Sequence, residues 1–384
     1  MHTPVFLDHN ATTPLDPRVR TVLEQAQRDC FGNPSSAGHA YGWAAAELVT
    51  RARTQVAEAI GAEPGEILFT SGATEANNLA LLGSAPTHGA HRRHLIISNL
   101  EHDAVSAPAA ELERRGARLT RVACGRDGLL DPEQVAAALD GETWLVSVLA
   151  AQNEIGTLQP LADIGRVCKG AGVLFHSDAA QALGRMDLDV QREGLDLLSL
   201  SSHKTYGPKG VGALFVRRRD PRVKLAPLLY GGDQEKGLRP GTLNAPGIAA
   251  FGEACRLAVA ERASESVRVG ALRDRLWGRL RTGLAGVSLN GAAAPRLAGN
   301  LNVSFAGVRS SGLLPRLTTL AVSAGSACRS GSPGPSRLLL DLGVPEDLAG
   351  SSLRIGLGRF TTDEEVTYAA DVLIEAVTAL RANP

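Results

Sequence analysis

The sequence lacks any long hydrophobic run and has no excess of charge of either sign. No stretch approaches the roughly 18 to 20 apolar residues that a membrane-spanning helix needs. The first residues, MHTPVFLDHNATTP, lack the basic region followed by an apolar stretch that marks a signal peptide. Forty basic residues balance forty acidic ones, which gives no reason to expect nucleic acid or a membrane surface as a partner. We therefore expect a cytoplasmic protein.

Cysteine is also scarce. The five cysteines are odd in number and scattered, without a CxxC pair, which argues against a disulfide framework and against an intrinsic metal site. Cys255 lies in an apolar helical pattern that is typical of a core. Cys328 lies in SAGSACRSGSPGPS, a composition that predicts a mobile loop and a reactive thiol. Cys30, Cys124 and Cys168 have no such context and are expected only to pack.

Apolar strand-like runs that alternate with helical patterns, by contrast, fill the chain from about residue 66 to 216. One of the helical patterns is DAAQALG, residues 178–184. This alternation is typical of an α/β domain with a mostly parallel sheet between helices. One long helix or two broken ones follow at about 246–284, then strand candidates in NLNVSFAG, LAVSAGSA and LRIGLGRF, and a helix at about 363–381. Two domains are expected: a large α/β domain over 16–258, and a small α+β domain over 1–15 and 259–384.

Polar side chains follow several predicted strands at positions where sheet packing does not require them. The motif SGAT joins a strand to a helix, and the amides at the helix start could face an anion together with the Thr74 hydroxyl. A simple helix cap is the alternative. The motif EHDAV places His102 after the next strand, where a histidine is more often a cap or a satisfied core group. The motif AQNEIGT places Asn153 after a third strand.

Two further strand ends carry a carboxylate and a lysine. FHSDAAQ places Asp178 and Gln181 beyond an apolar strand, so either a structural salt bridge or a cationic ligand is expected at the carboxylate. SSHKTYGPKG places Lys204 at the end of another buried strand, where an ammonium is costly to desolvate. The carboxyl ends of parallel strands meet at one sheet edge. An anion cradle, a carboxylate and a lysine amine that meet there suit pyridoxal phosphate, which a lysine binds as a Schiff base.

Nine motifs in order, from residue 5 to about 370, closely resemble those of the cysteine desulfurases. They are LDHNATTPLDP, FGNPSSAGH, EILFTSGATEANNLA, EHDAV, QNEIGTLQP, LFHSDAAQALG, SSHKTYGPKGVGALFVR, GSACRSG and GRFTT. These enzymes belong to the class V aminotransferase group of fold-type I pyridoxal phosphate enzymes. The resemblance implies a pyridoxal-phosphate-dependent transferase fold, a homodimer and the conversion of L-cysteine to L-alanine.

The resemblance also implies a role for each matching residue. Lys204 would hold the cofactor, His102 would stack on its ring, Asp178 would pair with the pyridine nitrogen, and Gln181 would pair with the ring oxygen. The cofactor phosphate would be held by Ala73, Thr74, Ser201 and His203, and by Thr242 from the neighbouring subunit.

The substrate would be bound and cleaved by three further residues. Asn153 and Arg354 would receive the substrate carboxylate, and a surface ion pair is the alternative for Arg354. Lys204, with His102, would remove the α-proton, and Cys328 would take the sulfur as a persulfide. The long segment that carries Cys328, about 323–336, resembles that of the group whose flexible arm delivers sulfur to protein acceptors. Such acceptors serve iron–sulfur cluster assembly or tRNA thiolation.

Two other functions compete with this interpretation. A selenocysteine lyase, or another class V enzyme, would share the cofactor site, but the long cysteine segment argues against it. A non-catalytic scaffold in a sulfur-transfer assembly would share the fold. The joint presence of Lys204, Asp178, His102 and Cys328 argues against a scaffold.

Overall fold

A computed structural model describes residues 3–325 and 334–382 and confirms the alternation of strands and helices. The strands are β1 (Val5–Phe6), β2 (Ile67–Thr70), β3 (His94–Ser98), β4 (Arg118–Val122), β5 (Thr143–Ser147), β6 (Leu174–Asp178), β7 (Leu197–Ser201), β8 (Gly212–Val216), β9 (Val287–Leu289), β10 (Asn300–Phe305), β11 (Leu320–Ala321) and β12 (Ser352–Gly356). The helices are α1 (Pro17–Asp29), α2 (Ala40–Glu58), α3 (Ala73–His88), α4 (Asp103–Arg114), α5 (Pro132–Ala138), α6 (Leu161–Ala171), α7 (Ala245–Gly283), α8 (Ser310–Leu313), α9 (Arg337–Asp341), α10 (Glu346–Ala349) and α11 (Asp363–Ala382).

The large sheet has the strand order β2-β8-β7-β6-β5-β3-β4. Strands β3 to β7 pair in parallel, whereas β8 runs antiparallel to both of its neighbours. Helices α2, α6 and α7 contribute to the apolar cluster on one face of this sheet, and α3 and α4 contribute to the cluster on the other. The predicted mostly parallel sheet between helices is therefore confirmed. Because the inner strands are covered on both faces, they read as continuous apolar runs.

A smaller apolar cluster surrounds an antiparallel sheet of order β12-β10-β9 and the parallel pair β1-β11. Within the described part of LAVSAGSA, residues 320–325, the predicted strand covers Leu320–Ala321. Of the two alternatives for the region at 246–284, the structure has a single helix of 39 residues, α7. Cys255 on α7 packs in the cluster of the large sheet, and Val269 packs in the smaller one. Helix α7 therefore contributes to both clusters, and the domain boundary after residue 258 stays a prediction.

The prediction of a helix in DAAQALG is wrong. Residues 180–185 form turns, and a hydrogen bond from the Leu183 amide to the Ala179 carbonyl (3.1 Å) closes a single helical turn. Gly184 then has a φ of 71°, which ends the turn. A side chain at this position would also collide with α7, because a Cβ on Gly184 would lie 2.4 Å from the Cβ of Ala258. The tight turn places Gln181 at the sheet edge.

Within residues 3–325 and 334–382, no helix is both long enough and apolar enough to cross a lipid bilayer.

Candidate active site

A cavity of about 420 Å³ lies at the carboxyl ends of β2, β3, β5, β6 and β7. Its lining includes residues that the sequence singled out: Ala73, Thr74, His102, Asn153, Asp178, Gln181, Ser201, His203, Lys204 and Arg354. Thr242 is exposed and does not line this cavity. Cys328 lies outside the described residues. The topology therefore brings together residues that are up to 281 positions apart, from Ala73 to Arg354.

Lys204 occupies the cavity wall at the end of β7. The strand passes directly into a short 3-10 turn, Ser202–Lys204. The Lys204 side chain is half-buried, and its Nζ donates to the carbonyl oxygens of Asn10 (2.7 Å) and Ala11 (2.6 Å). The amine is thus only partly desolvated at the end of this buried strand, because β7 ends at the open edge of the sheet. The two carbonyls compensate the desolvation of the ammonium and hold the amine at the cavity.

Asp178 is 7% exposed and is held by two donors. Its Oδ2 accepts from Nδ2 of Asn77 (2.7 Å), and its Oδ1 accepts from the amide of Ala180 (2.8 Å). Among the described side chains, no basic group forms an ion pair with this carboxylate, so the structural salt bridge is not what the fold provides. Asn77 was missed by the sequence analysis. Its only signal was an asparagine on the otherwise apolar face of α3, where it is fully buried.

His102 is the N-cap of α4, since its Nδ1 accepts from the amide of Ala104 at 3.0 Å. The neutral ring therefore carries its proton on Nε2. The same side chain also lines the cavity. The cap and the cavity wall are thus compatible roles for one histidine, and the cap fixes the position of the ring.

The end of the cavity at α3 combines a helix start with neutral hydrogen-bonding groups. The N-cap of α3 is Gly72, and no side chain caps the helix. The hydroxyl groups of the SGAT motif therefore do not act as a helix cap, which was the alternative to an anion site. A Cβ on Gly212 would lie 2.6 Å from the Cα of Gly72, so this close backbone approach requires glycine. Burial lowers the pKa of His203 to about 4, and the charge of Lys204 adds to the effect. His203 is therefore neutral near pH 7, and its Nδ1 contacts Oγ1 of Thr12 at 3.0 Å.

Arg354 lies on β12 and is only 1% exposed. Its Nη2 pairs with Oδ1 of Asp8 at 2.8 Å, and its Nη1 lies 3.4 Å from the carbonyl oxygen of Asn153. The ion pair is buried, so the alternative of a surface ion pair is wrong. Within the described part of the chain, Nε of Arg354 is buried without a hydrogen-bond partner. An unmet buried N–H on a guanidinium suits an incoming carboxylate.

Asp8 was also missed as an individual site residue, although its motif LDHNATTPLDP was recognised. Its second carboxylate oxygen accepts from Oγ of Ser323 at 2.7 Å. Ser323 and Arg354 are bridge partners in neighbouring stretches of backbone. One carboxylate therefore fixes both Arg354 and the chain that leads towards Cys328.

The four cysteines in the described part of the chain differ in burial. Cys255 and Cys168 are buried in the core, as expected, whereas Cys30 and Cys124 are only half-buried. Burial raises the pKa of Cys168 to about 12 and raises that of Cys255 still further above its usual range. The thiolate is the reactive form of cysteine. These two thiols are therefore unsuited to accept sulfur.

Native alkylation tests this difference. With iodoacetamide at neutral pH, we expect Cys328 to be modified at least about a thousandfold faster than Cys168 or Cys255, since buried thiols hold far less thiolate. Peptide mass spectrometry over a time course measures each rate, and a urea-unfolded sample is the control in which the rates converge. Comparable rates at Cys168 and Cys328 in the native protein would contradict the prediction that Cys328 is the reactive thiol.

The donor set of the cavity fits pyridoxal phosphate. It offers a lysine amine, a carboxylate held by two donors, an uncapped helix start and a buried guanidinium with an unmet N–H. A metal site has no comparable support, since no group of three or more His, Cys, Asp or Glu side chains in residues 3–325 and 334–382 could hold an ion.

Known proteins share this architecture over nearly the whole chain. The family model for aminotransferase class-V matches residues 5–368. Cysteine desulfurase IscS from Anaeromyxobacter sp. (strain Fw109-5) is 48% identical over 381 residues, which span 99% of this chain and 94% of the relative. A solved NifS-like protein superposes with a TM-score of 0.91 at 34% identity, covering 98% of this chain and 100% of the other. The structure of SspA in complex with cysteine superposes with a TM-score of 0.81 at 35% identity, covering 93% and 99%. The chain therefore belongs to the aminotransferase class-V family and, within it, to the cysteine desulfurases.

Proposed function

We propose that this pyridoxal-phosphate-dependent cysteine desulfurase releases L-alanine from L-cysteine and transfers the sulfur to Cys328. The observation that carries the proposal is the meeting of Lys204, Asp178 and Arg354 in one cavity. A lysine amine can bind the cofactor, a fixed carboxylate can pair with its ring nitrogen, and a buried guanidinium can bind an amino-acid carboxylate. The relative SspA, which was solved with cysteine, supports the substrate.

The residues around the cavity would divide the binding of the cofactor among them. Lys204 would bind it covalently, Asp178 would hold its ring nitrogen, Gln181 would donate to its ring oxygen, and His102 would cover one face of the ring. The phosphate would lie at the start of α3 with Ala73, Thr74, Ser201 and His203. When bound, pyridoxal phosphate supplies an electron sink for negative charge on the α-carbon of the substrate.

Five side chains would then bind the substrate and carry out the reaction. Arg354 and Asn153 would bind its carboxylate and orient the α-carbon. Lys204 would take the α-proton, and His102, which carries a proton on Nε2, would assist the proton transfer as a donor. The Cys328 thiolate would attack the substrate sulfur, so that a sulfur–sulfur bond forms as the carbon–sulfur bond breaks. The electron pair of the broken bond stays with the three-carbon fragment, which takes up one proton at its β-carbon, regains the α-proton from Lys204 and leaves as L-alanine.

The proposal also includes the oligomeric state of the enzyme, its sulfur acceptor and its location in the cell. The exposed position of Thr242, outside the cavity of its own chain, suits a homodimer in which it would reach the phosphate of the neighbouring subunit. The persulfide would pass to a sulfur-acceptor protein of iron–sulfur cluster assembly or tRNA thiolation. A cytoplasmic location suits the reactive thiol proposed at Cys328, since the cytoplasm keeps thiols reduced.

Incubation of the holoenzyme with L-cysteine tests the proposed reaction. Without a reductant or acceptor, we expect one L-alanine and one persulfide for each subunit, with the extra sulfur on the Cys328 peptide by mass spectrometry. L-serine is the matched control, because it lacks only the sulfur. Turnover of selenocysteine without turnover of L-cysteine would favour the lyase, and alanine without a persulfide on Cys328 would contradict the role of that cysteine.

A further inference from the structure

Arg185 contacts three chain segments that meet behind the cavity. Its Nη1 donates to Oε1 of Gln181 at 3.0 Å. Its Nη2 donates to the carbonyl oxygens of His9 at 3.1 Å and Lys204 at 3.0 Å. The first segment contributes Gln181 to the cavity wall, the second leads to Asn10, and the third carries Lys204. A single guanidinium therefore ties together the backbone and side chains around the lysine amine.

No carboxylate neutralises this guanidinium within the described residues, since all three of its acceptors are uncharged oxygens. Burial lowers the pKa of Arg185, but a guanidinium stays protonated at neutral pH. Glu265, a carboxylate whose charge acts on Arg185, forms an ion pair with Arg359 at 2.8 Å. A cation that satisfies only neutral acceptors is costly to keep in the interior. Its contacts therefore call for a role beyond packing.

The contact with Arg185 decides how the amide of Gln181 is oriented. Because Oε1 accepts from Arg185, the NH2 group must point in the other direction within the plane of the amide. One of its hydrogens goes to the carbonyl oxygen of Asn10, with a separation of 2.8 Å. The remaining N–H is what Gln181, a cavity-lining residue, can offer to a ligand. Without Arg185, the amide could turn and present its oxygen instead.

We propose that Arg185 is a positioning residue that fixes Gln181 as a hydrogen-bond donor to the ring oxygen of the bound cofactor and holds the turn that carries Lys204. The inference rests on the proposed function in one respect, namely that the cofactor occupies this cavity. It does not depend on which amino acid the enzyme consumes.

The sign of the effect follows from the charges. The nitrogen that links Lys204 to the cofactor is a cation when protonated, and a negative ring oxygen beside it stabilises that form. A donor to the ring oxygen weakens this stabilisation, and a nearby guanidinium opposes the cation directly. Arg185 therefore favours the unprotonated link. Its removal should raise the pH at which the visible absorption of the bound cofactor changes.

Other titrating groups near Arg185 do not interfere with this measurement. Burial lowers the pKa of His9 to about 4 and raises that of Tyr206 to about 12. Arg359 stays charged and lies over the Tyr206 ring at 4.4 Å. Neither His9 nor Tyr206 therefore changes its charge between about pH 4 and pH 12, and a change in absorption within that range is not caused by them.

The test is a double-mutant cycle read by absorption titration of the holoenzyme, without turnover. We expect Arg185→Met to raise the midpoint by about one pH unit or more, and Gln181→Leu to raise it as well. If Arg185 acts through Gln181, the shift caused by R185M falls to less than about half in the Q181L background. Equal shifts in both backgrounds, or no shift with R185M, would overturn the proposal.

Three further outcomes of this experiment also have a defined interpretation. Should R185M fail to fold, Arg185→Lys takes its place with the same expected direction, because a single ammonium cannot bridge the three oxygens in the same geometry. A wild-type protein that shows no cofactor absorption overturns this inference along with the cofactor assignment. Normal cofactor absorption without L-alanine production contradicts only the proposed reaction, and the titration then still decides the role of Arg185.

Discussion

Replacement of Lys204 with alanine is expected to reduce L-alanine production from L-cysteine by at least about 10⁴-fold. The same amine would bind the cofactor and take the α-proton, and a positioned base alone contributes about 10²- to 10⁴-fold. The fold should persist, because the Lys204 side chain is half-buried and the hydrogen bonds of its Nζ to the carbonyl oxygens of Asn10 and Ala11 involve backbone groups at the open edge of the sheet. Chromatographic measurement of L-alanine over time gives the rate.

The matched control for this change is Lys169→Ala. Lys169 is an exposed lysine on α6 and does not line the cavity. Its removal deletes the same charge and should leave the rate within about twofold of the wild type, since surface substitutions of this kind have small effects. Borohydride reduction of the holoenzyme before digestion should add the mass of the reduced cofactor at position 204. A modified peptide elsewhere, or a Lys204→Ala variant with near-normal turnover, would remove Lys204 from its proposed role.

The sequence was sufficient to predict those site residues whose chemical type is unusual at the end of a strand. Asp178, Gln181 and Lys204 stand directly after apolar runs, so their positions alone predicted a shared sheet edge. The parallel order of β3 to β7 follows from the alternating pattern. The antiparallel strand β8 could not be predicted this way, because its apolar run resembles those of its neighbours.

The residues that hold the site residues in position, Asn77 and Asp8, could not be predicted from the sequence. Asn77 and Asp178 are 101 positions apart, and Asp8 and Arg354 are 346 positions apart. No local pattern links such pairs, since only the packing of distant elements brings them into contact. The turn at 180–185 was misread for a related reason. Its helical pattern is overridden by Gly184 and by the close approach of α7 at Ala258.

Replacement of Arg354 with leucine is expected to reduce kcat/KM for L-cysteine by about 10²- to 10³-fold. The loss corresponds to a buried, charge-assisted contact with a carboxylate, which is worth about 3 to 4 kcal/mol. Arg354→Lys keeps the charge but not the planar guanidinium, so its kcat/KM should lie between those of the wild type and the leucine variant. Leucine also leaves Asp8 without its partner. Because the Asp8 side chain is 17% exposed, water can reach it, and the loss of stability should be less than the roughly 3 to 5 kcal/mol typical of a fully buried pair.

A carboxylate-free ligand separates substrate binding from this structural damage. Cysteamine has the amine and the thiol of L-cysteine but no carboxylate, and its binding can be followed by the change in cofactor absorption. If Arg354 binds the substrate carboxylate, the leucine variant should lose affinity for L-cysteine and keep its affinity for cysteamine. A merely structural role would weaken both ligands alike, because a distorted cavity cannot tell them apart. Equal losses would therefore leave the unmet N–H of Arg354 without a ligand and would move the carboxylate site to another part of the cavity wall.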